Sequence, residues 1–73
     1  MDETAFLTTM LDILQRDEPL SMGMPLSEVV EWDSLAAMAV IAFAAKELNK
    51  NLKISDLKKL ATITDLHRLL FAS

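Results

Sequence analysis

The residues best placed to do chemistry in this chain are Asp33, Ser34 and Leu35, which follow a loop and open an apolar run. A serine at that point stands at the positive end of a helix dipole, so a phosphate ester on its oxygen would be well placed electrostatically. Asp33 is a good N-cap. Read from the tripeptide alone, Ser34 is a secondary cap beside Asp33, and that plainer role outweighs the other because Asp-Ser-Leu recurs by chance. The remaining candidates carry less. The carboxylate pairs Asp17-Glu18 and Glu28-Glu31 sit in or near a loop, where solvated charge is their ordinary role. His67 is the lone histidine, with no cysteine in the chain, and reads as a surface residue rather than a ligand or base. It lies too far along the chain to complete a serine–histidine–acid set. No phosphate-binding glycine loop occurs. The expectation is therefore no catalytic residue and no metal.

The chain that holds these residues has 73 residues, no cysteine, one glycine and two prolines. That length suits one small domain covering 1–73. Such a domain buries only about 60% of the surface its unfolded chain exposes, and its core supplies about 3–5 kcal/mol. Without cysteine there is no disulfide framework, and one histidine cannot hold a structural zinc. At 52% hydrophobic the chain is too apolar for a disordered tail, and its few turn residues argue against an all-β fold. Phe6, Trp32, Phe43 and Phe71 suit a small helical core. Net charge is −4, which makes nucleic acid and anionic membrane poor partners. The charge is uneven: residues 1–45 balance at −7 and residues 46–73 at +3. The basic residues Lys46, Lys50, Lys53, Lys58, Lys59 and Arg68 are spread out and read as a solvated helical surface. Met1 is followed by Asp2 and Glu3, the wrong sign for a secretory start. The longest apolar run, Leu35–Ala45, covers 11 residues, against the roughly 20 a membrane span needs. A soluble cytoplasmic protein is expected.

Four helices must position Ser34. From about Thr4 to Gln15, the apolar residues Phe6, Leu7, Met10, Leu11, Ile13 and Leu14 fall on one helical face, with Asp2 and Glu3 favouring the dipole at its start. Residues 17–33 contain Pro19, Gly23 and Pro25 and form a long loop. Its apolar residues Leu20, Met22, Met24, Leu26, Val29 and Val30 pin it to the core, so the loop is ordered. A second helix runs from about Ser34 to Leu48, ended by Asn49 and Asn51, with Lys46 and Lys50 suiting its C-terminal dipole. A short helix follows from Ile54 and Ser55 to about Leu60, with Ser55 as its N-cap. Thr62 and Asp65 have the spacing of a capping box that opens the last helix, which continues through Leu66, Leu69, Leu70 and Phe71. The predicted fold is all-α: a small four-helix bundle of three main helices and a short third one, with a long loop between the first two.

The second helix carries the sharpest signal. Leu35 to Ala45 leave no polar face over three turns. A helix apolar all round is normally buried all round, and a chain this short has too few elements to cover it. Open apolar surface marks an interaction site. Six alanines also read simply as strong helix formers. Leu35, Met38 and Val40 cannot all point inward, which favours a partner surface. Trp32 reads as packing at the bundle's end, and Met10, Met22, Met24 and Met38 as flexible gap fillers.

Taken along its whole length, the chain resembles an acyl carrier protein. The resemblance rests on an amphipathic first helix, a long acidic loop, Trp32-Asp33-Ser34-Leu35 opening the second helix, a short third helix, and Thr62-Ile63-Thr64-Asp65-Leu66 opening the last. Proteins of that family attach 4′-phosphopantetheine to the serine of Asp-Ser-Leu, which maps onto Ser34. The resemblance implies a carrier that is not itself an enzyme. A phosphopantetheinyl transferase would load it with the aid of magnesium, and Asp33 would help present the site. Acyl-transferring, ligase or synthase enzymes of fatty-acid, polyketide or related biosynthesis would be its partners. Neither nucleic acid nor membrane would be.

The chain departs from the family where partners dock. Relatives often carry acids along the second helix, where this chain has Ala36 and Ala39, and Lys58 and Lys59 make its third helix basic. Glu31 and Trp32 stand where a glycine often precedes the motif. A more apolar partner contact is expected, through Leu35, Ala36, Met38, Ala39 and Ala42, in a specialised rather than a housekeeping carrier. A monomer is expected, although the sequence leaves open whether the apolar helix pairs two copies. The alternative is a helical adaptor that binds a protein partner through that helix and takes no cofactor.

Overall fold

The structure, a computed structural model, describes residues 2–71. It is a four-helix all-α bundle, as the apolar periodicity predicts. Helix α1 spans Glu3–Leu14, α2 Ser34–Glu47, α3 Ile54–Lys58 and α4 Ile63–Phe71, with one turn of 3₁₀ helix at Leu26–Glu28 in the long connection. The radius of gyration is 11.0 Å, matching the roughly 11 Å of a fully packed chain of this length. Among the described residues no helix is long and apolar enough to cross a membrane.

Each helix contributes one stripe to a common core. Phe6, Met10 and Leu14 line it from α1, Ala36, Ala37, Val40 and Ala44 from α2, Leu57 from α3, and Ile63, Leu66 and Leu70 from α4. These are spacings of three and four residues, which stack side chains on one face. Leu20, Leu26 and Val29 of the long connection complete it, with Met22, Met24 and Trp32 partly buried against it. That connection is ordered, as its apolar content predicts. Val30 is the exception: at 89% exposed it points to solvent and pins nothing.

Helix ends account for most boundary differences from the expectations. Helix α1 starts at Glu3 rather than Thr4, because the Asp2 carboxylate accepts the Ala5 N–H at 2.8 Å. It stops at Leu14 because Gln15 is left-handed (φ 56°) and the Arg16 N–H turns back to the Leu11 carbonyl at 3.0 Å. Asn49, also left-handed (φ 52°), ends α2. Ser55 is not the cap of α3. The helix begins at Ile54, and the Asp56 carboxylate reaches back to accept the Lys53 N–H at 3.0 Å. Lys50 serves a different helix from the one expected, since its ammonium donates to the carbonyls of Leu69 (2.9 Å) and Leu70 (3.3 Å) in the last turn of α4.

The Thr62–Asp65 box forms as its spacing predicts. Asp65 N–H donates to Thr62 Oγ1 at 3.2 Å, and the Asp65 carboxylate accepts the N–H groups of Ala61 (3.0 Å) and Thr62 (3.1 Å). Those N–H groups, Ala61 first, hold the Asp65 carboxyl below its ordinary range. A carboxyl lowered in the folded state stabilises fully above its unfolded value, and that contribution is lost as pH falls through the folded one. Urea unfolding of Asp65→Asn is predicted to show lower stability near neutrality and a shallower loss on acidification than the parent chain. Equal acid-side slopes would contradict this role.

Candidate functional site

The site forms where the long connection meets α2. Non-local backbone pairs anchor its middle. Leu26 N–H donates to Ala61 C=O at 2.9 Å, and the N–H groups of Ile63 and Thr64 donate to the carbonyls of Met24 (3.0 Å) and Met22 (2.8 Å). The Thr64 hydroxyl reaches the same Met22 carbonyl at 2.6 Å. These bonds tie the connection to the start of α4, and no sequence pattern announces them.

Arg16 ties the two ends together. Its side chain is 7% exposed, and its guanidinium donates to Glu31 Oε1 at 2.7 Å and to the Glu18 carbonyl at 3.1 Å. The connection thus starts and finishes on one buried cation, two residues before Asp33. The Arg16 hydrogen bond holds the Glu31 carboxyl below its ordinary range. Arg16 is not among the site residues that the sequence singles out. Its signal is that it is the single base among the first 45 residues, surrounded by acids.

Asp33 emerges extended (φ −142°, ψ −172°), and its carboxylate accepts the Ala36 N–H at 2.9 Å, so it is the N-cap of α2. Ser34 follows as the first helical residue and is exposed. With Asp33 doing the capping, the serine is left over: among the described residues, no hydrogen bond engages its hydroxyl. A small cleft of about 70 Å³ opens beside it between α2 and α3, lined by Trp32, Asp33, Ser34, Ala37, Ile54, Leu57 and Lys58. A larger apolar cleft of about 330 Å³ lies on the other side of α2, with Ile13 and Leu14 of α1 facing Leu35, Ala36 and Ala39 and with Glu31 and Asp33 at its edge.

Four of the five residues expected on a partner face do look outward. Leu35 is 78% exposed and Met38 62%, and Ala39 and Ala42 are exposed beside them. Met38 is therefore no core filler. Ala36 is the correction: it is buried, 100° round the helix from Leu35, on the side that packs against α1 and α3. His67 is a second correction. It is half-buried rather than a surface residue, with its ring 4.9 Å from Phe6 and 5.0 Å from Phe71, and its Nε2 is buried without a hydrogen-bond partner. It lies in the core wall, apart from Ser34. Among the described residues, no three metal-ligating side chains cluster.

Comparison of the chain with protein-family models, with curated proteins and with solved structures finds no match. The site's meaning therefore rests on its own geometry and chemistry. The Arg16–Glu31 pair gives a direct check. Replacing Arg16 with Met should raise the Glu31 carboxyl midpoint toward ordinary glutamate values in an NMR titration and speed amide exchange across residues 17–33. An unchanged Glu31 midpoint would show that the pair does not hold the connection.

Proposed function

We propose that this chain is an acyl carrier protein, with 4′-phosphopantetheine attached through Ser34. The observation that carries the reading is the Ser34 hydroxyl, which is exposed and, among the described residues, without a hydrogen bond at the first turn of a helix whose N-cap side chain is Asp33. A serine kept for capping would be bonded. This one is presented.

The residues fit the group. Unpaired N–H groups in the first turn of α2 favour the negative charge of a phosphodiester at Ser34, and Lys58 lies across the small cleft. Attachment needs the Ser34 oxygen to attack the phosphorus of coenzyme A that bears the pantetheine. The new bond is Oγ–P, the diphosphate P–O bond breaks, adenosine 3′,5′-bisphosphate leaves, and the serine proton passes to a base of the phosphopantetheinyl transferase. Magnesium on that enzyme offsets the charge of the diphosphate. Once attached, the arm supplies the thiol, absent from a cysteine-free chain, that carries acyl groups as thioesters. The chain's own residues then hold and present. Arg16 and the Met22–Thr64 bonds fix the approach to the site, and Asp33 fixes the first turn. The cleft of about 70 Å³ is less than half the roughly 150 Å³ that holds one benzene, whereas the open apolar cleft of about 330 Å³ between α1 and α2 exceeds it.

Catalysis belongs to the partners in this reading. Leu35, Met38, Ala39 and Ala42 give them an apolar contact in place of an acidic one, which suits a specialised enzyme set for fatty-acid, polyketide or related chemistry rather than a housekeeping one. Tethering cargo raises its effective concentration at those enzymes.

The test is intact mass after incubation with coenzyme A, magnesium and a broad-specificity phosphopantetheinyl transferase. The wild type should gain one phosphopantetheine and Ser34→Ala none. Because Asp33 is the cap, Ser34→Ala should shift stability by no more than about 0.5 kcal/mol, so the control stays folded. No gain on folded wild type with several transferases would leave the cofactor-free adaptor reading, for which the exposed Leu35 and Met38 already speak.

A further inference from the structure

The outward face of α2 has a composition that fits a second copy of itself. We propose that two copies of the chain pair through this face, with their α2 helices antiparallel. The exposed positions Leu35, Met38, Ala39, Ala42, Ala45 and Lys46 recur at three- and four-residue steps, opposite the buried stripe of Ala36, Ala37, Val40 and Ala44. This is the seam spacing of a helix pair.

The seam is self-complementary in size. Its large residues, Leu35 at 78% and Met38 at 62% exposed, lie in the N-terminal half, and its small ones, Ala39, Ala42 and Ala45, in the middle and C-terminal half. An antiparallel two-fold sets the large half of each copy on the small half of the other, which is what an isologous contact requires. A parallel pair would crowd Leu35 and Met38 against their equivalents.

Charge selects the same direction. Asp33 stands exposed at the start of α2, and the one charge on the seam itself, Lys46, stands exposed in its last turn. Antiparallel helices bring Lys46 of each copy toward Asp33 of the other and oppose their dipoles favourably. Parallel ones would put like charges together. A single helix pair buries less than the 1,200 Å² or so of a standard interface, so the association is weak. The chain is a monomer when dilute and a dimer when concentrated.

The proposal needs no modification of Ser34, so it stands or falls apart from the carrier reading. Sedimentation equilibrium of the unmodified full chain from about 10 μM to 2 mM should show monomer–dimer exchange. Concentration-dependent NMR shifts should gather on the outward residues of α2. Met38→Glu should weaken pairing at least tenfold, and Lys46→Glu should weaken it several-fold, most clearly at low salt. Both side chains are outward, and unchanged helical circular dichroism confirms that the variants fold. A chain still monomeric at 2 mM overturns the proposal and leaves the face to an enzyme partner. A dimer indifferent to Met38→Glu places the contact elsewhere. A dimer that Lys46→Glu leaves unchanged or tightens overturns the antiparallel arrangement.

Discussion

Helix α2 offers an apolar surface all round, and the rest of the chain can cover only half of it. Everything else in the structure follows from how that shortage is resolved. The inner stripe, Ala36, Ala37, Val40 and Ala44, is built mostly of alanine, so the large side chains of the core come from the other elements. Phe6, Met10, Leu57, Ile63 and Leu66 then fill the remaining space, each at most 2% exposed. Among the described residues the outer stripe is left largely open, with Leu35 and Ala39 bordering the cleft toward Ile13 and Leu14 of α1. Leu35 and Met38 stand in water beside Ser34, a standing cost that a monomer without a docking role has no reason to carry.

The second constraint is the route by which the chain reaches α2. Residues 17–33 could wander, since they contain little regular structure. Instead they are held on one side by backbone bonds to the start of α4 and gathered at both ends by Arg16. The carboxylate of Asp33 then closes the first turn of α2. Rigidity upstream and a satisfied cap leave Ser34 presented but not engaged. That combination suits a residue on which another enzyme must act: the position is fixed and the oxygen is free.

The legible parts of this structure are local. Thr62 and Asp65 are three residues apart, and Asp33 precedes an apolar run, so both caps follow from spacing. The stripes of α1 and α4 follow from periodicity. What sequence reading missed depends on contacts between distant positions. Met22 and Met24 accept bonds from Thr64 and Ile63, Lys50 closes the end of α4, and Arg16 meets Glu31. No local pattern encodes these. His67 reads as exposed because it is a lone histidine in a chain without cysteine, yet it shares a helical face with Ile63 and Phe71 and so turns toward Phe6. Ala36 differs from its expected place for a simpler reason: in a run with no polar residue the inward and outward faces cannot be told apart, and only the packing of α1 and α3 decides.

A small bundle closes on an alanine stripe, leaves an apolar face open, and holds a free serine at the start of that face. On the carrier proposal, Ser34 bears a covalent arm in the cell. Mass analysis of the tryptic fragment covering residues 17–46, from protein isolated from its native source, tests this most directly. The expected fragment is heavier by one phosphopantetheine, with or without an acyl group, and loses that mass on cleavage of the phosphodiester. A fragment of unmodified mass, recovered in full from cells whose other carriers are loaded, would contradict it.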